Sequence, residues 1–171
     1  MCTMEDALER TRKSSDEKDM ETKLVIRKAI SADAEALHDL YFNHLTASAP
    51  AEPQDMAAWR EKLARFERDP FYHLLVGEVD RRIVSSATLI VIENLTRNLR
   101  PYAVIENVVT HADFRGRHYA TQLMCRASEI AGENGCYKIM LLTGSKKDST
   151  MRFYENCGFN KNDKTAFIKW L

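Results

Sequence analysis

Residues 102–120 read YAVIENVVTHADFRGRHYA, and the reading of this stretch decides the architecture. Up to Thr110 it is apolar and β-branched around one Glu-Asn pair, the composition of a half-buried strand. Its far end opens an amphipathic helix, in which Tyr119, Leu123, Met124, Ala127, Ile130 and Ala131 recur at helical spacing. Arg115, Gly116 and Arg117 lie between the two. The start of a helix carries unpaired N–H donors and partial positive charge, so it suits an anion. Gly116 lets a ligand approach the backbone, and the two arginines add full charge. The stretch therefore predicts a strand-turn-helix unit built for a phosphate or pyrophosphate. The alternative is an ordinary capped helix with solvated arginines.

Working outward, LVIRKA (24–29) predicts a strand. Leu37, Leu40, Tyr41, His44 and Leu45 then form a helical stripe, with Ser31 or Asp33 suited to its N-terminus. Pro50 and Pro53 interrupt the chain. Met56, Trp59, Leu63 and Phe66 share one face of a second helix, which ends at Asp69-Pro70. FYHLLVGEV (71–79) and IVSSATLIVI (83–92) predict two strands joined by a tight hairpin, and the polar loop ENLTRNLRP (93–101) follows. Beyond the central unit come a strand at YKIMLLTG (137–144), a short helix stopped by Gly158, and an alternating last strand at KTAFIKWL (164–171). The order β-α-α-β-β-β-α-β-α-β predicts an α/β fold, a mixed sheet with helices on both faces in a three-layer sandwich.

The chain has 171 residues, of which 44% are apolar, enough for one domain over 24–171. The mixed-charge segment 1–23 predicts a disordered tail. Twenty-five acidic and twenty-five basic residues balance, which argues against a general nucleic-acid binder. No apolar run is long enough to span a bilayer, and the N-terminus lacks the apolar core of a signal peptide. Four cysteines without a CxxC pair point to reduced thiols and a cytoplasmic setting. The five histidines show neither HExxH spacing nor clustered cysteine partners, so no metal site is expected. A P-loop GxxxxGK[ST] and a dinucleotide GxGxxG are both absent from the sequence.

The central unit resembles the GNAT superfamily of acetyl-CoA-dependent N-acetyltransferases. The pattern of that family is a strand, a [Q/R]xxGx[G/A] turn and a helix. Arg115-Gly116-Arg117-His118-Tyr119-Ala120 stands in that register, with His118 at the place of the usual Gly. YKIMLLTG followed by STMRFYENCGF is similar to the family's second motif, and GCYKI with FYENCGF looks like the branch that acetylates glucosamine phosphate. The resemblance covers roughly residues 24–171. It implies a mixed, mostly antiparallel sheet, acetyl-CoA as cosubstrate, and a small-molecule primary amine as acceptor. Lys147 stands where the family often has Asn, within a basic GSKK run suited to cofactor phosphates. A homodimer is common among the proteins the chain resembles and is admitted here.

Direct acetyl transfer needs a base, an oxyanion site and an acid. Glu106 sits inside an apolar strand, where a charge is costly without a partner or a task, and its position is similar to the family's usual catalytic Glu. The resemblance implies that this strand splays from its neighbour, so that backbone groups of Val108, Val109 and Thr110 meet the thioester arm. Tyr154 matches the family's general acid. The turn residues Arg115–Ala120 would hold the pyrophosphate. Arg97 and Arg100, in the loop before the Glu106 strand, are candidates to grip an acidic group on the substrate. The competing readings are a protein or peptide acetyltransferase and a non-catalytic module that binds acetyl-CoA.

Overall fold

The computed structural model describes residues 23–45 and 53–171. The expected N-terminal tail, up to residue 22, and Pro50 lie outside the described residues. Five strands form one sheet in chain order: β1 (Val25–Lys28), β2 (Tyr72–Val79), β3 (Arg82–Ile92), β4 (Tyr102–Thr110) and β5 (Ile139–Leu141). β1 to β4 pair antiparallel, and β5 joins β4 in parallel. The sheet is mixed and mostly antiparallel, as expected. Asp80 and Arg81 close the β2–β3 hairpin with φ of 49° and 64°, a left-handed turn that matches the twist of the flanking strands.

Four helices cover the sheet: α1 (Ala34–His44), α2 (Met56–Arg68), α3 (Tyr119–Glu133) and α4 (Asp148–Asn156). The period-two pattern of the strands sorts their side chains between two cores. Leu74 and Val76 pack with Leu37, Leu40 and Leu63 from α1 and α2. Leu75, Ala87, Leu89, Ala103 and Ile105 pack on the other face with Leu123, Met124, Ala127 and Ile130 from α3, and Phe153 and Tyr154 of α4 join them.

The helix ends follow local chemistry. The Asp55 carboxylate accepts from the Ala57 and Ala58 N–H groups at 2.8 and 3.2 Å and caps α2. Gly158, with φ of 89°, ends α4 and lets the Phe159 N–H reach the Tyr154 carbonyl at 3.0 Å.

Asp33 does more than stand before α1. Its carboxylate accepts two hydrogen bonds from the Arg27 guanidinium, at 2.7 and 2.9 Å, and one from the Ile30 N–H at 2.8 Å. Arg27 also donates to Glu78 on β2, so the triad ties α1 to the sheet edge. Burial works against the Asp33 charge, but these bonds outweigh it and hold its carboxyl below the ordinary value. A depressed carboxyl contributes stability that is present above its unfolded value of about 3.9 and is lost as pH falls through the folded one. Asp33→Asn is expected to cost about 2–3 kcal/mol at neutral pH, read from urea unfolding, and to flatten the acid limb of the stability profile.

The closing segment corrects the expectation of a sixth strand. Residues 164–171 pair with no strand among the described residues, and Phe167 and Trp170 are 93% and 88% exposed. Alternation supplies a face but not a backbone partner, and β5 pairs over three residues instead of the eight expected at 137–144. The 93–101 loop also carries structure that its composition does not announce. Arg97, Asn98 and Leu99 form a left-handed turn with φ of 57°, 58° and 63°.

Candidate functional site

The site grows from an irregularity in β4. Ala103 and Ile105 face the α3 core, and the next residue on that face by strict alternation is Asn107. Asn107 instead adopts φ of 53°, and Val108 takes the α3 side while Val109 turns to the α1–α2 side. The register with β3 slips at the same place, between the pairs Ser86–Val109 and Thr88–Glu106. This is a bulge, an extra residue that re-aims the side chains around it.

The other edge of β4 opens at the same level. Its pairing with β5 stops at Ile105–Leu141, so residues 106–110 have no β5 partner. The Ala103 N–H goes to the β5 side, onto the Lys138 carbonyl, whereas the His111 N–H goes to Val84 of β3. Alternation back from His111 aims the Val108 and Thr110 N–H groups at the gap and the Val109 N–H at β3.

Glu106 is exposed at the mouth of this gap, opposite Thr88. Two phenols feel its charge. Burial raises the Tyr154 hydroxyl above its ordinary value, and the neighbouring Cys157 and Glu106 add to the effect. Burial raises Tyr72 in the same way, a Thr88 hydrogen bond partly offsets it, and Glu106 adds to it. The strand and α4 thus bring Glu106 and Tyr154, distant in sequence, within electrostatic reach of each other.

At the end of β4 the turn has the expected form. Gly116 has φ of 80°, and His118 has φ of 59° with ψ of 17°, the left-handed conformation natural to the Gly it replaces. His118 places no side-chain cap on α3, so the first N–H groups of the helix, at Tyr119 and Ala120, are left for a ligand. Arg115 donates to the Thr110 carbonyl at 3.1 Å and to the His44 carbonyl at 3.4 Å, which fixes the turn against α1. The guanidinium groups of Arg82 and Arg117 lie 5.2 and 5.5 Å from the Phe114 ring. Arg82 also donates to His111 Nε2 at 2.7 Å. Burial, His44 and Arg82 lower the His111 value, so its ring stays neutral at physiological pH and serves as an acceptor.

The remaining expected residues lie elsewhere. Arg100 donates to the Gly135 and Cys136 carbonyls at 3.1 and 3.2 Å, and Arg97 lies 5.8 Å from the Tyr137 ring. Both therefore sit at the start of β4, the end away from the turn. Lys147 holds the N-terminal position of α4, with its N–H on Ser145 Oγ and its side chain exposed. No group of three or more His, Cys, Asp or Glu is placed to hold a metal among the described residues. No helix among them is long and apolar enough to cross a membrane.

Two cavities flank β4. One of about 450 Å³ lies on the α1–α2 face and is bounded by Tyr41, Trp59, Phe66, Tyr72, Thr88 and Asn107. It lies beside the bulge, and Trp59 and Phe66, which read as core residues from their spacing, form part of its wall. The other, of about 710 Å³, lies at the start of β4 among Phe71, Val91, Glu93, Leu95, Leu99 and Asn134. It is larger, but neither Glu106 nor a residue of the turn lines it. Asn107, Tyr72 and Thr88 escaped the sequence reading. The one available signal was the spacing of three between Ile105 and Val108, where strict alternation requires two.

Comparison with known proteins agrees with this geometry. Residues 34–159 match the family model described as the acetyltransferase (GNAT) family. A glucosamine 6-phosphate N-acetyltransferase of Trypanosoma brucei brucei is 30% identical over 148 residues, which is 85% of this chain and 92% of that protein. A crystallised putative acetyltransferase from Agrobacterium tumefaciens superposes with a TM-score of 0.76 at 37% identity, covering 85% of this chain and 99% of the other. The glucosamine-6-phosphate N-acetyltransferase of Arabidopsis thaliana shares the fold, with a TM-score of 0.74 at 19% identity over 86% of this chain and 98% of that one.

Proposed function

The chain belongs to the acetyltransferase (GNAT) family and is an acetyl-CoA-dependent N-acetyltransferase; from that premise we propose that it acetylates the primary amine of a small molecule by direct attack. Residues 24–171 are read as one acetyltransferase domain. The observation that carries the proposal is the end of β4–β5 pairing at Ile105–Leu141, with Glu106 next in line and its charge felt at Tyr154.

Each step falls to residues of this chain. Arg115–Ala120 and the start of α3 hold the pyrophosphate, and the basic side chain of Lys147 meets another cofactor phosphate. Bound acetyl-CoA supplies an activated acetyl thioester. The Val108 and Thr110 N–H groups, with Val109 keeping the strand on β3, lie in the gap to receive the carbonyl oxygen as it gains charge. Glu106 takes a proton from the substrate ammonium, directly or through water, which frees the lone pair of the neutral amine for attack. Tyr154 keeps its proton at neutral pH because burial disfavours the phenolate, and it donates that proton to the departing sulfur.

Calorimetric titration of acetyl-CoA tests the first part. Gly116→Pro is the informative variant, because proline holds φ near −65° and cannot adopt the 80° found here. Micromolar binding by the wild type and a loss of at least a hundredfold in the variant are expected. Equal affinities would place the cofactor elsewhere. A second reading, an aminosugar phosphate as acceptor, is favoured by the name of the trypanosome relative.

A further inference from the structure

The acceptor of the proposed reaction has to reach Glu106 from a side that the cofactor leaves free. The cofactor gap lies on the β5 edge of β4, whereas the 450 Å³ cavity lies on the α1–α2 face and is lined by Asn107 and Thr88, the chain neighbour and the β3 partner of Glu106. We propose that this cavity is the acceptor pocket and that it selects a primary amine with an aromatic or branched apolar body. The inference rests on the transferase reading above.

The lining argues for that class. Four aromatic residues, Tyr41, Trp59, Phe66 and Tyr72, and the aliphatic Leu37, Leu63 and Leu74 line the cavity. Phe66 and Tyr72 stack at 3.9 Å, and Tyr41 and Trp59 lie 6.3 Å apart, so the rings are held by one another rather than by a ligand. Such walls bind an apolar body by burial, and their faces attract an ammonium group. The polar lining residues are Gln54, Asp55, Lys62, Thr88 and Asn107, of which Thr88 alone is buried. Thr88 hydrogen-bonds Tyr41 and Tyr72, and the charge of Glu106 is felt at Tyr72. Asp55 at the rim adds a carboxylate, and Lys62 is the one cation among the described lining residues. A dianionic phosphate there meets one exposed lysine and the Asp55 carboxylate, with the charge of Glu106 beside the lining. Arg97 and Arg100, the candidates to grip it, lie at the other end of β4. The balance of charge favours a cationic, apolar amine over a sugar phosphate.

The test compares phenylethylamine with glucosamine 6-phosphate as acceptors for the full chain, following release of the coenzyme A thiol. A kcat/KM at least tenfold higher for phenylethylamine is expected. Ala58→Trp fills the cavity from an exposed position on α2, so folding is preserved. It is expected to raise the phenylethylamine KM at least tenfold while the acetyl-CoA Kd changes less than twofold. Trp59→Ala should raise the same KM with little change in kcat, since it alters binding and not the reacting groups. Preference for glucosamine 6-phosphate, or an unchanged KM in Ala58→Trp, would overturn the pocket assignment and leave the transferase reading standing. Binding of acetyl-CoA without acetylation of either amine, or of a wider amine set, would overturn both.

Discussion

Glu106→Gln is expected to lower kcat/KM for the accepted amine by about a hundredfold to ten-thousandfold, the range supplied by a positioned general base. The side chain is exposed, so its replacement leaves packing untouched, and the unfolding midpoint should hold. Acetyl-CoA affinity should hold as well, because the turn proposed to hold the pyrophosphate lies beyond the end of β4. The amide keeps the shape and removes the basic oxygen, so the loss should fall on the chemical step. Steady-state kinetics with calorimetry on the same preparation separates these terms. An unchanged kcat/KM would remove Glu106 from the mechanism and leave proton removal to solvent.

Tyr154→Phe is expected to reduce kcat by about a hundredfold or more, with a smaller change in KM, because in the proposed mechanism the hydroxyl acts on the leaving sulfur and not on the resting substrate. The direction of its shift sets the pH behaviour. Burial raises the phenol above its ordinary value of about 10, so the proton remains available across the neutral and mildly alkaline range. On the alkaline side the wild type should lose activity as pH climbs past that ordinary value, and the Phe variant should lack this limb. Tyr154 also packs against Phe153 and Phe159, at 4.9 and 6.3 Å, contacts that Phe retains. A variant with wild-type kcat would make Tyr154 a packing residue.

Much of this was legible in the chain because local chemistry and long-range packing agree. In 102–120 the apolar strand, the positive-φ glycine and the amphipathic helix each predict what the others require. His118 is the exception that fits. It is not the expected glycine, yet it takes the same left-handed conformation. What a local reading leaves out has a shared cause. The alternation of KTAFIKWL names a strand, but whether a ladder receives it depends on an edge elsewhere, and β5 offers three paired residues. Arg97 and Arg100 look free in a polar loop, whereas the fold brings the turn after α3 against them. Trp59 and Phe66 satisfy a helical stripe whether the space before them is filled or hollow, and periodicity alone does not distinguish a core from a pocket wall.

The bulge at Asn107 also guards the fold against a common error of sheets. A strand flanked by two apolar cores can slide by one residue, and each slide exchanges its faces. In β4 the residues before the bulge obey one parity and those after it obey the other, with Ile105 and Val108 in the same core and Val109 in the opposite one. No single displacement satisfies both halves. A slipped pairing that rescues one half strands the other, so the irregularity that presents Glu106 to the gap also acts as a key that admits one alignment of β4 against β3.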